Sequence, residues 1–469
     1  MKNSLIFDTK KYSVETLEMD GHTLVYRAFE NIPYVVQPVD EKVQVLSIYV
    51  PEDYYKGKAI GSYDLDNAPI FLPNTVGGYM PGPVERPGKN VHGEMNAAFF
   101  ALLHGLVVVS PGVRGREQKD REGNYIGMAP AAICDLKAAV RYLRFNKDRI
   151  PGEVEKIISN GTSAGGALSS LLGTTGNHPD YEPYLQAMGA AEEEDRIFAA
   201  SCYCPITNLE HADMAYEWEF CGLNDYHSMK FEPPVKAGEK PEMIPVDGQM
   251  TEEQKVMSGK LKDRFPEYLN SLKLRDEQGN PLELDAQGNG SFKEYVKSCV
   301  EAAVQGEILK GTDLSEYHWI TVQDGRPEID FDQYVKFRTR MKTTPAFDNV
   351  SMGTPENELF GSVTDRYRHF TKFSQDHSTV EGELAEEQQI KMMNPMEYIE
   401  DENAVKAEHL RIRHGVVDRD TSLAVSAMLA AKLRANGVDT DLAYPWGIPH
   451  AGDYDIGELL NWIDGICEG

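Results

Sequence analysis

Short apolar runs alternate with longer segments of helical apolar spacing in the first 204 residues of the chain. The runs are typical of strands buried on both faces, and they cover residues 43–50, 69–72, 106–109, 156–159 and 198–204. Residues 95–104 and 131–146 between them have the apolar spacing of helices. Strands that alternate with helices predict an α/β fold, with a mostly parallel sheet and helices on both faces.

The pattern changes after Pro205 and returns near Leu410. Residues 205–395 are more polar, and residues 251–269 and 291–304 read as helices without accompanying buried strands. A strand at 410–413, a helix at 421–435, a strand at 440–444 and a helix at 457–466 then complete the first pattern. We therefore predict one α/β domain built from residues 1–204 and 396–469, with residues 205–395 inserted as a mostly helical lid.

The formal net charge of the 469-residue chain is −28, which argues against nucleic acid and anionic membranes as partners. The N-terminus resembles no signal peptide, and no apolar run reaches the length of a membrane span. The six cysteines form no CxxC pair or other metal-ligand spacing. We expect a cytoplasmic monomer with reduced thiols and no metal or organic cofactor, acting on a small molecule.

The strongest motif is G-x-S-x-G at residues 161–165, between a predicted strand and a predicted helix. In this context the serine lies on a strained turn that presents its hydroxyl above the sheet. The motif predicts Ser163 as the nucleophile of a serine hydrolase with the α/β-hydrolase fold. It also places the Ala164 amide at a helix N-terminus, where it can donate to an oxyanion.

A second oxyanion donor is expected in the loop that follows the strand at residues 69–72. Gly77 fits because it has a free amide and no side chain to block a substrate oxygen. Gly78 is the competing donor, and an ordinary glycine turn is the plainer interpretation. We predict Gly77 as the donor.

The fold requires an acid and then a histidine after the serine. His450 lies in a loop between the last predicted strand and the last helix, whereas His414 falls at the end of a strand, where a core hydrogen bond is commoner. We therefore predict His450 as the base. Asp418 and Asp420 follow the preceding strand two residues apart, and position alone does not separate them as the acid.

Several segments resemble bacterial tannases, the tannin acyl hydrolases that cleave galloyl esters. Some lie in the inserted segment, where a general esterase would not match. The similar segments are residues 73–79, 160–166, 204–206, 208–218, 341–342, 345–348, 355–357, 411–415 and 418–422.

The resemblance implies a role for ten residues of this chain. Asp418 would complete a triad with Ser163 and His450, and Gly77 and Ala164 would be the oxyanion donors. The remaining residues would surround the galloyl ring, with Lys342, Glu356 and Asp420 at its hydroxyls and Ile206 and Pro355 flanking its faces. The expected activity is hydrolysis of the galloyl esters of tannins and simple gallates, with release of gallate.

The implied ring contacts make chemical sense, because carboxylates accept hydrogen bonds from phenolic hydroxyls and an ammonium donates to them. Without the resemblance, Lys342 and Glu356 would read as solvated charges of an acidic lid. Three alternatives keep the same fold: a broader carboxylesterase or feruloyl esterase, an acyltransferase that excludes water, and a non-catalytic binding protein. The complete serine, acid and histidine set argues against the last.

Overall fold

The computed structural model describes residues 4–19, 21–90, 93–232 and 242–468. Its centre is a nine-stranded sheet that is completed by strands from both ends of the chain. The buried apolar runs predicted from the sequence form its middle. The strands of this sheet are β1 Ser13–Met19, β2 His22–Pro33, β3 Val45–Pro51, β4 Pro69–Asn74, β5 Val107–Pro111, β6 Glu153–Thr162 and β7 Ala199–Tyr203, followed near the C-terminus by His409–Arg413 and Asp439–Ala443.

Two further strand pairs lie in the segment between β7 and His409–Arg413. They are β8 Asp225–Glu232 with β9 Glu242–Gln249, and β10 Ile320–Gln323 with β11 Arg326–Ile329, so the last two strands of the large sheet are β12 and β13. The large sheet has the order β1-β2-β3-β5-β4-β6-β7-β12-β13. Within this sheet, β5, β4, β6, β7, β12 and β13 pair in parallel. The pairings β1–β2, β2–β3 and β3–β5 are antiparallel. This confirms the predicted mostly parallel sheet.

The helices cover both the sheet and the inserted segment. α2 and α12 are almost wholly buried, as expected of helices packed on a parallel sheet. The helices are α1 Ala97–His104, α2 Ala131–Phe145, α3 Ala164–Thr174, α4 Glu182–Met188, α5 Leu209–Phe220, α6 Glu252–Ser271, α7 Ser291–Lys310, α8 Phe331–Arg338, α9 Pro355–Leu359, α10 Lys372–Asp376, α11 Glu387–Lys391, α12 Leu423–Ala435 and α13 Ile456–Cys467.

Several predicted boundaries move for identifiable local reasons. α1 starts at Ala97 because the Asn96 side chain accepts the Phe99 amide as an N-cap. α7 continues past residue 304 and ends at Gly311, whose φ of 78° is the left-handed conformation of a helix C-cap. The strand predicted at 156–159 extends over Glu153–Thr162 because it pairs with β4 on one side and β7 on the other.

The sequence reading missed strands that lack a continuous buried run. β1 is an edge strand of mostly exposed residues, β10–β11 is largely exposed, the side chains of β8–β9 whose burial is described are exposed or half-buried, and β2 alternates buried with more exposed positions. Such strands carry no buried apolar run, so a search for buried runs does not find them. The segment between β7 and β12 is thus mostly helical, as expected, but it also contains two β-hairpins.

The inserted segment leaves the sheet at the end of β7 and returns at the start of β12. These two strands are parallel neighbours near the β13 edge of the sheet, so the segment is anchored there. Its own apolar centre is aromatic: Trp218 packs within 6 Å of three phenylalanine rings, those of Phe265, Phe292 and Phe331. Within the described residues, no helix has the length and apolarity that crossing a membrane requires.

Candidate active site

Ser163 occupies a strained turn between β6 and α3. Its φ of 58° and ψ of −120° are a conformation that non-glycine residues rarely adopt. The Ser163 amide donates to the carbonyl of Tyr203 at 2.9 Å, which ties the turn to the end of β7. The structure thus brings the predicted nucleophile to the carboxyl edge of the parallel strands, where α/β sheets place their active sites.

The glycines around Ser163 are required by close backbone approach. A Cβ at residue 161 would lie 2.4 Å from the Gly165 carbonyl oxygen. A Cβ at residue 165 would lie 2.8 Å from the carbonyl oxygens of both Asn74 and Val76. The glycines therefore let α3 begin directly against the loop after β4.

His450 and Asp418 meet across the ends of the last two sheet strands. His450 lies between β13 and α13, and its Nδ1 donates to Asp418 Oδ2 at 2.8 Å. Burial alone would raise the pKa of the fully buried Asp418, but the charge and hydrogen bond of His450 lower it far below the ordinary value. Burial lowers the pKa of His450, and the charges of Asp418 and Asp420 outweigh it and raise that pKa well above its usual range.

The two alternatives left open by the sequence occupy different places. His414 is buried on the other side of Asp418, 3.5 Å from its carboxylate, with Nδ1 at 2.9 Å from Ser426 Oγ. Burial lowers the pKa of His414 to about 4, so it is neutral at physiological pH. Asp418, and not Asp420, bonds to His450, while the Asp420 amide donates to Asp418 Oδ1 at 2.8 Å.

Lys342, Asp420 and Glu356 form a second charged group beside this pair. Lys342 Nζ donates to Asp420 Oδ1 at 2.7 Å and lies 4.1 Å from the centre of the Phe347 ring. Burial opposes the charge of Lys342, but Asp420 and Glu356 raise its pKa. Burial raises the pKa of Glu356, and Lys342 lowers it in part. One ammonium thus faces two carboxylates in a half-buried group with spare hydrogen-bonding capacity.

The remaining predicted residues lie on the loops around Ser163 and on α9. Gly77 is exposed in the loop after β4, and Ala164 is the first residue of α3, where helix amides lack partners within the helix. Gly78 has a φ of 51°, and its carbonyl accepts from Arg116 Nε at 2.7 Å.

Ile206 and Pro355 come from opposite ends of the inserted segment. The Ile206 side chain is buried, and its carbonyl lies 3.5 Å from the hydroxyl of Tyr79. Pro355 is exposed at the first position of α9, directly before Glu356. The Thr354 side chain caps the N-terminus of α9 and so fixes the orientation of Pro355 and Glu356.

The sequence reading missed the residues that hold the Lys342 segment in place. The Tyr216 hydroxyl accepts the amides of Met341 and Lys342 at 3.2 and 3.0 Å. Arg340 pairs with Glu217, and neither side chain is exposed to solvent. The only signal in the sequence was the similarity of residues 208–218, which contain Tyr216 and Glu217 but do not reveal their partners.

Cys204 also lies beside the His450–Asp418 pair and has metal-ligating chemistry. Its Sγ, a carboxylate oxygen of Asp418 and a ring nitrogen of His450 lie within 4.8 Å of one another. The carboxylate and His450 Nδ1 already satisfy each other by a hydrogen bond, an arrangement suited to proton transfer. The other face of the His450 loop borders a cavity of about 1170 Å³ against α7, which contains none of the predicted site residues.

Solved structures of known proteins match nearly the full length of this chain. Tannase from Lactobacillus plantarum is 44% identical with a TM-score of 0.96, and the match covers 99% of this chain and 100% of that one. Tannase from Fusobacterium nucleatum is 47% identical with a TM-score of 0.94, covering 99% of each chain. This chain belongs to the tannase family.

Two weaker matches agree with the α/β-hydrolase fold of this tannase family member. A family model described as BD-FAE matches residues 121–258, which include the Ser163 turn. The esterase LipC of Mycobacterium tuberculosis is 43% identical over 56 residues, a stretch that spans 12% of this chain and 14% of that esterase.

A tannin acyl hydrolase in complex with ethyl gallate is 44% identical with a TM-score of 0.93, covering 99% of each chain.

Replacing Gly165 with alanine is expected to destabilise the protein by about 1–3 kcal/mol, because the new methyl group would press on two backbone carbonyls. Turnover should fall as α3 shifts. Gly173→Ala on the same helix is the control, since its Cβ would lie no closer than 3.4 Å to any neighbour. Urea unfolding and ester turnover test both variants, and equal stability of the two would contradict the packing argument.

Asp420→Asn is expected to move the acid limb of the kcat/KM profile to lower pH. The neutral form of His450 is the base, and the Asp420 charge raises the His450 pKa, so removing that charge lowers the pKa. Lys342→Met is the opposite control, because it leaves Asp420 uncompensated and should move the limb to higher pH. Limbs that moved together, or not at all, would rule out this electrostatic coupling.

Proposed function

We propose that this tannase family member hydrolyses galloyl esters through a galloyl-enzyme intermediate on Ser163. The observation that carries the proposal is the 2.8 Å His450–Asp418 hydrogen bond, which lies at the same carboxyl edge of the sheet as the strained Ser163 turn. A nucleophile, a base and an acid that orients the base are the parts that acyl transfer to serine requires.

In the first half-reaction, His450 Nε2 takes the Ser163 hydroxyl proton as Oγ bonds to the galloyl carbonyl carbon. Asp418 keeps the His450 Nδ1 proton directed toward itself, so that Nε2, which lies 4.0 Å from Cys204 Sγ, carries the lone pair that accepts the proton. The Gly77 and Ala164 amides stabilise the oxyanion. The intermediate then breaks its bond to the alcohol oxygen, which receives the proton from His450.

In the second half-reaction, water replaces the alcohol. His450 removes a proton from the water as its oxygen bonds to the acyl carbon, and a second oxyanion forms at the same amides. The bond from the acyl carbon to Ser163 Oγ then breaks, and His450 returns the proton to Oγ. Gallate leaves, and no step of this cycle requires a metal or an organic cofactor.

Lys342, Asp420 and Glu356 are proposed to recognise the three galloyl hydroxyls. The ammonium donates to a phenolic oxygen, and the carboxylates accept from phenolic hydroxyls. Ile206 and Pro355 would flank the faces of the ring. Relatives bind ligands of this class, since tannin acyl hydrolases have been solved with ethyl gallate and with 3,4-dihydroxybenzoate.

The inserted segment is proposed to act as the lid of the site. Residues 205–395 contain Lys342, Glu356, Ile206 and Pro355, whereas the triad lies outside them. Under this proposal the sheet domain supplies the ester chemistry, and the lid supplies the choice of acyl group. Asp420 links the two parts, because its carboxylate bonds to Lys342 of the lid.

Ser163→Ala is expected to lower turnover of methyl gallate by at least about 10⁴-fold while leaving gallate binding largely intact. The matched control is Ser170→Ala on α3, whose hydroxyl bonds only to the Ala167 carbonyl of its own helix. Chromatographic quantification of the released gallate measures turnover, and isothermal titration calorimetry measures the affinity for gallate. Near wild-type turnover in Ser163→Ala would exclude Ser163 as the nucleophile.

Glu356→Gln is expected to lower kcat/KM for methyl gallate about 10- to 100-fold, because a charged acceptor for a phenolic hydroxyl is lost. Methyl ferulate, which lacks the three adjacent hydroxyls, should be much less affected. Glu267→Gln, an exposed carboxylate on α6, is the control for a lost lid charge. A wild-type preference for methyl ferulate would instead favour a feruloyl esterase.

A further inference from the structure

The loop between β12 and α12, residues 414–422, carries both Asp418 and Asp420, and we call it the acid loop. Several of its backbone carbonyls accept hydrogen bonds from side chains of the inserted segment. The Tyr334 hydroxyl of α8 donates to the Val416 carbonyl at 2.5 Å. The Tyr216 hydroxyl of α5 lies 3.2 Å from the Arg419 carbonyl.

The strongest of these contacts is a buried ion pair that bonds to the acid loop at two places. Arg338 pairs with Glu219, and neither side chain is exposed to solvent. The guanidinium of Arg338 also donates to the backbone carbonyl of Asp418. Glu219 Oε2 accepts from Ser422 Oγ at 2.6 Å and from the Leu423 amide at 3.0 Å, at the end of the acid loop and the start of α12.

The hydrogen bonds within the acid loop constrain its position less than the bonds to other segments do. Asp418 Oδ1 accepts the Asp420 amide, and the Asp418 amide donates to the Gly415 carbonyl. These bonds are local and move together with the loop. The amides of Val416 and Val417 tie the start of the acid loop to the Pro445 and Ile448 carbonyls of the His450 loop, at 2.9 and 3.2 Å. The planar guanidinium of Arg338, between Glu219 and the Asp418 carbonyl, adds a contact at Asp418 itself from a separate part of the fold.

A neighbouring pair shows that this connection is specific. Glu217 lies two residues before Glu219, Arg340 lies two residues after Arg338, and both side chains are equally buried. Arg340 donates instead to the Lys342 carbonyl at 2.6 Å, and Glu217 accepts from Thr344 Oγ1 at 2.6 Å. The Glu217–Arg340 pair therefore fixes the Lys342 segment, whereas the Glu219–Arg338 pair fixes the acid loop.

We infer that Glu219 and Arg338 are positioning residues for the esterase reaction, holding Asp418 where it orients His450. The inference rests on the proposed roles of Asp418 and His450 in catalysis. It gives the inserted segment a second task beyond contact with the galloyl ring, namely completing the geometry of the triad. A displacement of about 1 Å at a catalytic group can cost about 10²-fold in rate, so the expected effect is large.

The test compares Arg338→Met, Arg338→Lys and a control with a similar loss of buried charge. Lys137→Met is that control, because Lys137 pairs with Asp195 in the sheet domain and makes no contact with the acid loop. For Arg338→Met we expect kcat on methyl gallate to fall about 100-fold with KM changed less than about threefold. Arg338→Lys, which keeps a charge and a donor, should recover about tenfold of that loss.

Two readouts separate positioning from a general loss of stability. Hydrolysis of p-nitrophenyl acetate should fall in parallel with methyl gallate, since the acetyl group has no hydroxyls for Lys342 or Glu356 to bind. The downfield proton resonance of the His450–Asp418 hydrogen bond should weaken in Arg338→Met and persist in Lys137→Met. A folded Arg338→Met with kcat within threefold of wild type would overturn the inference, as would a loss confined to KM.

Glu219→Gln decides the question if Arg338→Met does not fold. It keeps the shape of the side chain and one acceptor but loses the charge that holds Arg338, and kcat should fall about tenfold. An unchanged kcat there would also overturn the inference. Labelling of Ser163 by a fluorophosphonate in wild type tests the nucleophile separately: absent labelling would refute the proposed function, whereas normal labelling with unaffected Arg338 and Glu219 variants refutes only the positioning role.

Discussion

The buried ion pair between Glu219 and Arg338 is the contact on which the arrangement of the site depends. It joins α5 and α8 of the inserted segment to the backbone of Asp418 and to the start of α12. Removing two charges from water costs several kcal/mol per ion unless their remaining hydrogen bonds are satisfied. Here the acid loop and the start of α12 supply several of these bonds, so the ion pair favours the register that presents Asp418 to His450.

Two buried ion pairs, Glu219–Arg338 and Glu217–Arg340, connect the same two segments but contact different parts of the site. Glu217 and Glu219 on α5 face Arg340 and Arg338, and each arginine extends to a different backbone carbonyl, that of Lys342 or of Asp418. The proposed recognition of the ring and the proposed orientation of the base are therefore coupled through one helix. A low local dielectric strengthens both pairs and makes a mismatched pairing costly.

The Ser163 turn obeys a different constraint, that of backbone space. Its positive φ is tolerated because β4, β6 and β7 hold the turn on several sides, and glycines remove the side chains that would otherwise collide. The properties of the proposed base, His450, depend instead on nearby charges. Asp418 and Asp420 raise the His450 pKa, and Lys342 partly offsets Asp420, so the proposed ring-binding charges also act on the proposed base.

The sequence by itself determined the parallel sheet, the Ser163 turn and the choice of His450, because buried runs and glycine-bounded turns are local patterns. Position in the chain left Asp418 and Asp420 equivalent, since two carboxylates two residues apart differ only in which partner faces them, and only the resemblance to tannases favoured Asp418. The tertiary structure separated them, with His450 on one and Lys342 on the other. It alone revealed the exposed hairpins and the Glu219–Arg338 contact, because pairing between segments 119 residues apart leaves no periodic signal in either.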